Sequence, residues 1–254
     1  MTIFITGGAT GIGAATAALF LEKGWNVAVA DHNPEAATAN LAACTGDNGR
    51  WAVYKTDVRR QADLTAAANA AAERFGAINA VFANAGIHRK NTLLTITDEE
   101  LDTLIDTNIK GCVYALRAVV PHIIAAGGGS VVINASDQVF IGKGGNFGYG
   151  LTKGALGQIT RSLSVDLAPH GIRVNAVCPG TIATPMVDRI FEDLSRKTGT
   201  PVSEYWEEEN ALFNRGRVGT PDEVARAVYF LTDRESASFI TGALLPVDGG
   251  LTAR

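Results

Sequence analysis

The sequence predicts an α/β protein: a single doubly wound domain of about seven parallel strands with helices on both faces. Three observations carry that prediction. Short β-branched runs alternate with longer alanine-rich stretches along the chain, the pattern of βαβ units around a parallel sheet. The helical stretches close on glycine, as helix C-termini do. Hydrophobic residues make up 46% of the 254 positions and charged residues 19%, enough apolar surface for a large core and too little charge for disorder.

Taken in order, "IFIT" at 3–6 is the first strand, and "AATAALFLEKG" is the helix after it. The next runs are "NVAVAD" at 26–31, "WAVYKTD" at 51–57 and "NAVFANAG" at 79–86, the last preceded by the helical "LTAAANAAAERFG". "SVVINAS" at 130–136, "IRVNAVCPG" at 172–180 and "ALLPVDGG" at 243–250 complete the set. Helices are expected near 101–125 and 150–168, where Leu116, Val120, Leu156 and Leu163 offer apolar positions for a two-fold contact between subunits. No linker, low-complexity tract or tandem repeat interrupts the series. The exception is 184–217, rich in charge and aromatic residues and without a strand. An amphipathic stretch at 187–194, a "TGTP" break and an acidic, aromatic stretch predict two short helices that form a substrate-binding lid within the one domain.

The formal charge of -4 is too mild for a nucleic-acid partner. Four histidines and the isolated Cys44, Cys112 and Cys178 show no metal-ligand spacing, so no metal is expected. Three separate thiols suit a reducing compartment. No apolar run reaches membrane-spanning length, and "MTIFITGG" lacks a basic leader and is better taken as a first strand. A cytoplasmic protein without a membrane partner is the expectation.

"TGGATGIG" at 6–13 follows the first strand and opens a helix. Glycines at 7, 11 and 13 let the backbone turn tightly and approach a pyrophosphate, which the helix N-terminus attracts through free N–H groups and its dipole. Gly7, Thr10, Gly11, Ile12 and Gly13 are therefore candidate cofactor contacts. Asp31 ends the second strand 18 residues beyond Gly13, where a carboxylate accepts hydrogen bonds from ribose hydroxyls and repels a 2′-phosphate. Neither Thr10 nor the neighbouring His32 supplies a fixed cation, so NAD is expected rather than NADP.

Tyr149 and Lys153 stand four apart at the start of a helix and face one site. A free phenol, with a pKa of about 10, is a poor base at neutral pH, and an ammonium beside it favours the phenolate. Ser136 lies at the carboxyl end of a strand, where such sheets bind ligands, and is placed to hold a substrate oxygen. By itself the Tyr–Lys pair would also fit a solvated helix face.

With these residues in view, the chain resembles the short-chain dehydrogenase/reductase (SDR) family almost end to end. The likeness rests on "TGGATGIG", "ANAG" at 83–86, Asn108 in "NIKG", Ser136, "YGLTK" at 149–153, "PG" at 179–180 and "ITGALLPVDGG". The resemblance implies a Rossmann-type domain over 1–254. It implies Tyr149 as acid/base, and Lys153 lowering its pKa while binding the nicotinamide ribose. Ser136 would orient the reacting oxygen, and Asn108 would hold a relay water. Asp57 and Val58 would flank the adenine; Asn84, Ala85 and Gly86 would line the nucleotide path. Pro179, Gly180, Ile182 and Thr184 would contact the carboxamide end. A homotetramer is implied too. Ala83 stands where the family often has asparagine, a scaffold feature.

The substrate pocket is expected from the segments after Ser136 and Gly86 and from the lid. His88, Arg89, Lys90, Asp137, Gln138, Lys143 and Asn146, with Arg189, Tyr205, Trp206, Asn210 and Arg215 from the lid, make a polar set. A steroid or acyl chain would want an apolar wall. The expected activity is NAD-dependent interconversion of a secondary alcohol and a carbonyl on a polar substrate such as a sugar or polyol, with room for an anionic group. The alternatives are a ketone or 3-oxoacyl reductase working reductively, and a non-catalytic NAD-binding scaffold. A sugar epimerase of the related longer type would want a larger C-terminal domain than 254 residues leave.

Overall fold

The structure, a computed structural model, describes residues 1–45 and 49–253. Seven strands form one parallel sheet in the order β3-β2-β1-β4-β5-β6-β7. They are β1 (Thr2–Thr6), β2 (Asn26–Asp31), β3 (Trp51–Lys55), β4 (Ala80–Ala83), β5 (Gly129–Asn134), β6 (Ile172–Pro179) and β7 (Leu244–Val247). Each is built from one of the apolar runs of the sequence. Five stop short of their run: β3 ends at Lys55, β4 at Ala83, β5 at Asn134, β6 at Pro179 and β7 at Val247. In each, the residues left over become the loop at the carboxyl edge. There the order reverses across β1, which pairs with β2 on one side and β4 on the other, so the loops after β1 and β4 part and leave a crevice.

Helices cover both faces. Helices α1 (Gly11–Glu22), α2 (Pro34–Thr45) and α9 (Pro221–Thr232) lie on one side; α3 (Gln61–Phe75), α5 (Gly111–Ala125) and α6 (Phe147–Asp166) lie on the other. Two apolar cores result: Ile3, Ile5, Phe20, Leu21, Val27 and Val228 form one, and Phe4, Leu64, Val119, Ile123, Ile133 and Val174 the other. Alternate residues of the buried strands feed opposite cores, because side chains alternate across a sheet.

The helix expected near 101–125 is three pieces in series. Helix α4 (Asp98–Leu104), capped by Thr97 and Glu100 in a capping box, runs into a π-helical turn (Ile105–Lys110) and then α5. The segment 184–217 holds two helices as expected. They are α7 (Pro185–Thr198), ended by Gly199 at φ 81°, and α8 (Val202–Ala211). Of the apolar positions expected at a subunit contact, Leu156 and Leu116 are buried in the core, Leu116 with one edge on the groove described next. Leu116, Val120 and Leu163, with Val113 and Ile159, line an apolar groove of about 690 Å³ between α5 and α6.

Gly129 opens β5 under Asn79, and a Cβ there would sit 2.0 Å from the Asn79 carbonyl oxygen and 2.8 Å from Ile123 Cγ2. Gly129→Ala is therefore expected to destabilise the fold by about 1–3 kcal/mol, the usual range for overpacking. Urea unfolding measures it, and an unchanged midpoint would contradict the packing described.

Candidate active site

The turn after β1 is held from both sides of the crevice. Gly7 and Gly11 have φ of 68° and 56°, conformations that favour glycine. A Cβ on Gly13 would fall 2.1 Å from Gly7 O, so the helix could not start so close to the turn with any other residue. Asn84, just past β4, donates through Nδ2 to Thr6 O (3.0 Å) and Gly7 O (2.8 Å). Its Oδ1 accepts from Asn134 Nδ2 at 2.8 Å, which links the loops after β1, β4 and β5. Thr6 Oγ1 takes the N–H groups of Asn84 and Ala85 at 3.0 and 3.1 Å.

From the other side, Asp31 is 5% exposed and accepts the Ala9 N–H through Oδ2 and the Asn33 N–H through Oδ1, each at 2.9 Å. His32 Nδ1 lies 3.1 Å from Oδ1, with the imidazole turned out to solvent. Thr10 precedes α1 in extended backbone but makes no side-chain cap, which leaves the first-turn N–H groups of Gly11, Ile12 and Gly13 to an outside acceptor. Thr184 lies against Gly11, whose added Cβ would be 3.1 Å from Thr184 Cγ2. The segment after β6, from Pro179 and Gly180 to the buried Ile182, thus faces the glycine turn. Asp57 is clamped by Arg59, Nη2 to Oδ2 at 2.6 Å, which holds its carboxyl below the usual range. Val58 packs over Gly111. A narrow cradle of glycine backbone with a free helix start at one end and a buried carboxylate beside it fits a dinucleotide in an extended pose.

The four residues expected to do chemistry meet at the carboxyl ends of β4 and β5. Asn108 sits in the π-helical turn, 1% exposed. Its Oδ1 accepts the Ile87 N–H at 2.8 Å, and its Nδ2 donates to Ile87 O and Thr152 Oγ1 at 3.0 Å each. Both N–H groups of the amide are engaged by protein, and its oxygen accepts one further bond. Lys153 is 4% exposed and donates to Asn134 O at 2.6 Å, its Nζ 5.6 Å from the Tyr149 ring centroid. Burial pulls the ammonium down to about 8. Tyr149 is half-buried. Burial and the charge of Asp137 hold the phenol above its ordinary value, and the Ser136 hydroxyl acts the other way. The surroundings the chain itself supplies thus oppose the phenolate, and the expected lowering rests on Lys153 together with the positive nicotinamide of an oxidised cofactor. Desolvation wins, and the ammonium is drawn to the Asn134 carbonyl.

Ser136, 5% exposed, donates to Asp137 Oδ1 at 2.8 Å and accepts the Gln138 N–H at 3.2 Å. Asp137 is in turn 2.8 Å from Lys143 Nζ through Oδ2. His88 packs on Tyr149 with ring centroids 4.7 Å apart. Its tautomer follows from its neighbour: Asn146 donates Nδ2 to Gly144 O at 2.9 Å, so Oδ1 is the atom 2.6 Å from His88 Nε2, and Nε2 carries the proton. Burial, with Lys90, Arg89 and Lys143 nearby, pulls His88 down and favours the neutral ring. Arg89 and Lys90 are exposed at the rim.

Of the residues expected in the lid, Tyr205 and Trp206 pack on Phe191 at 5.9 and 4.8 Å and so join α8 to α7. Asn210 Oδ1 accepts the Val218 N–H, and Arg215 lies over Gly249. Glu209 accepts a hydrogen bond from Thr181, tying α8 to the segment after β6. Sequence reasoning missed Asn134, whose carbonyl seats Lys153, and Thr152, which seats Asn108. Neither residue type announces such a role; only the strand-to-helix register brings them there. Among the described residues no cluster of His, Cys, Asp or Glu could hold a metal ion, and no helix is long and apolar enough to cross a membrane.

Comparison with known proteins agrees with this geometry. A family model described as enoyl-(acyl carrier protein) reductase matches residues 7–252. The chain is 39% identical over 246 residues to the short-chain reductase protein NovJ of Streptomyces niveus, covering 97% of this chain and 92% of that one. It is 35% identical over 251 residues to a cyclohexanol dehydrogenase of Acinetobacter sp. (strain SE19), covering 98% and 94%. Among solved structures, Thermoplasma acidophilum aldohexose dehydrogenase in ligand-free form superposes with a TM-score of 0.85 at 31% identity, covering 100% of this chain and 94% of that one.

Lys153 also gives the fold a pH dependence. Its folded pKa of about 8 lies below the unfolded value of about 10.4, so the folded chain binds fewer protons between the two. The cost of burying the ammonium is full below pH about 8 and relieved as pH rises toward about 10.4. Wild-type stability is expected to rise over that interval relative to Lys153→Met, by urea unfolding at both ends. Parallel pH profiles would show that the buried ammonium is not the titrating group.

Proposed function

The chain belongs to the short-chain dehydrogenase/reductase family, and on that premise we propose that it is an NAD-dependent dehydrogenase of polar secondary alcohols. Sugars and polyols are the substrate class in view, with an anionic group tolerated. The observation that carries the reading is the Tyr149–Lys153–Ser136 group set at the end of a dinucleotide cradle and walled by polar side chains. Tyr149 moves the proton between the substrate oxygen and the protein. Lys153, seated on Asn134 O, carries the ammonium that faces the ribose nearest the reacting ring. Ser136 holds the substrate oxygen. Asn108 locks α6 to the loop after β4, and in this reading it also holds the water that relays protons to solvent. The dinucleotide, when bound, supplies the hydride acceptor.

NAD is favoured by Asp31. Its buried charge stands where a ribose hydroxyl would donate and a 2′-phosphate would be repelled. Adenine lies between Asp57 and Val58 in this reading. Asn84, Ala85 and Gly86 line the path, and Pro179, Gly180, Ile182 and Thr184 meet the carboxamide end. Gln138, Lys143, Asn146, His88 and Arg89 border the substrate. The polar wall, and the likeness to a protein named as an aldohexose dehydrogenase, support the sugar or polyol class. A second reading is a ketone or 3-oxoacyl reductase working reductively, which the description of the matching family model favours. A non-catalytic scaffold is disfavoured by the intact Tyr149–Lys153 pair. Residues 184–217 act as a lid over the cleft, with Thr184 at the glycine turn as its hinge side. The apolar groove between α5 and α6 supports a homotetramer through a two-fold contact. Three free cysteines support a cytoplasmic location.

The test is incubation with NAD and a panel of sugars, sugar acids, polyols and secondary alcohols, following the absorbance of the reduced cofactor. Turnover of none of them, with reduction of β-ketoesters or 3-oxoacyl thioesters instead, would favour the second reading. Tyr149→Phe should lower turnover by about 10²–10⁴-fold while NAD binding stays nearly intact. Activity within about threefold of wild type would take Tyr149 out of the chemistry. Replacing Asp31 by Ala or Ser together with His32→Arg should raise NADP use and weaken NAD. An unchanged preference ratio would show that another segment reads the ribose.

A further inference from the structure

Ser136 is followed by a carboxylate with its own counter-ion. Asp137 is 1% exposed, and its two oxygens are divided: Oδ1 takes the Ser136 proton at 2.8 Å, and Oδ2 lies 2.8 Å from Lys143 Nζ. A carboxylate this deep is costly to desolvate, and its charge opposes the formation of a phenolate nearby. Lys143 reaches it from the loop between the one-turn 3₁₀ helix (Asp137–Val139) and α6, with its side chain 23% exposed. The pair lies inside the wall of the cleft and ends on the hydroxyl that holds the substrate oxygen.

We propose that Asp137 and Lys143 are positioning residues for the reaction: Asp137 anchors Ser136 beside the phenol, and Lys143 neutralises that carboxylate so that Tyr149 can ionise next to it. The inference rests on Tyr149 being the acid/base group. It assigns to the loop 140–146 a role in setting the pH at which the base forms, through a cation that lies outside the Tyr–Lys pair.

The other charged and titratable groups around Tyr149 are accounted for. Lys153 faces it from its own helix. His88 stacks on it from the loop after β4, with Arg89 and Lys90 behind. Cys112 of α5 and Cys178 of β6 lie near Lys153, and burial pushes both thiols up to about 12, so they stay neutral. Two of them also feel the pair: Lys143 helps to lower His88, and Asp137 helps to raise Cys178, so Lys143→Arg, which keeps the cation beside His88, is the control for Lys143→Met.

The experiment is a ¹³C NMR titration of protein labelled at tyrosine Cζ, in the presence of NAD. The chain has 5 tyrosines, and the Tyr149 signal is assigned by its loss in Tyr149→Phe. Asp137→Asn should lower the Tyr149 midpoint by about one pH unit and Lys143→Met should raise it by about one, the low end of the effect of a charge at this range. The double variant should return to within about half a unit of wild type, and Lys143→Arg should leave the midpoint in place. If Asp137→Asn does not fold, the comparison of Lys143→Met with Lys143→Arg decides. Equal midpoints in those two, a common midpoint in all variants, or no Tyr149 transition below about pH 11 in any of them overturns the proposal. The titration needs no turnover, so a failed substrate panel does not touch it. Retained activity in Tyr149→Phe would fault the catalytic reading while leaving the charge balance measured.

Discussion

One buried amide governs the geometry of the cleft. Asn108, in a π-helical turn, donates both amide N–H groups and accepts one bond, on the main chain of Ile87 and the hydroxyl of Thr152. Three elements meet there: the loop leaving β4, the α4–α5 helix and α6. A π-turn takes in one residue more than the α-helical repeat, and such turns recur at functional sites. Here the turn carries Asn108, whose amide is bonded to Ile87. Because Thr152 is adjacent to Lys153, the same bonds fix the helix that carries Tyr149 and Lys153 relative to the crevice at the centre of the sheet.

Desolvation is the common price of this arrangement. Lys153, Tyr149 and His88 are all displaced toward their neutral forms, chiefly by burial. Each keeps a specific partner: Asn134 O for Lys153, the Ser136 hydroxyl for Tyr149, Asn146 for His88. Groups poised this way respond strongly to any charge brought beside them, since little water is left to screen it. A cation beside the phenol would shift it toward phenolate.

Much of this was legible in the sequence, and the reasons are physical. A buried parallel strand needs a run of β-branched residues, so all seven strands could be located. A turn that must present bare backbone needs glycine, so Gly7, Gly11 and Gly13 marked the cradle. The i, i+4 spacing put Tyr149 and Lys153 on one face before any coordinate did. What escaped were features set by register and main chain. The π-turn has no sequence signature within "IDTNIK", and the Asn134 carbonyl is an acceptor any residue would supply. The burial that opposes ionisation of Tyr149 was not legible either, because how deeply a helix start is packed depends on the elements laid against it. Leu116 and Leu156 stood among positions open to either core or subunit contact, because helical spacing alone does not tell a core face from a second apolar face.

The central claim is that one dinucleotide lies across the carboxyl edge of the sheet, from Asp31 to Lys153, in the form without a 2′-phosphate. Hydrogen–deuterium exchange with saturating NAD tests it directly, with NADP as the control. The account predicts added protection in four separate stretches, at 7–13, 31–33, 84–87 and 179–184, with NAD and little with NADP. Unchanged exchange in those stretches, or equal protection by both nucleotides, would contradict it.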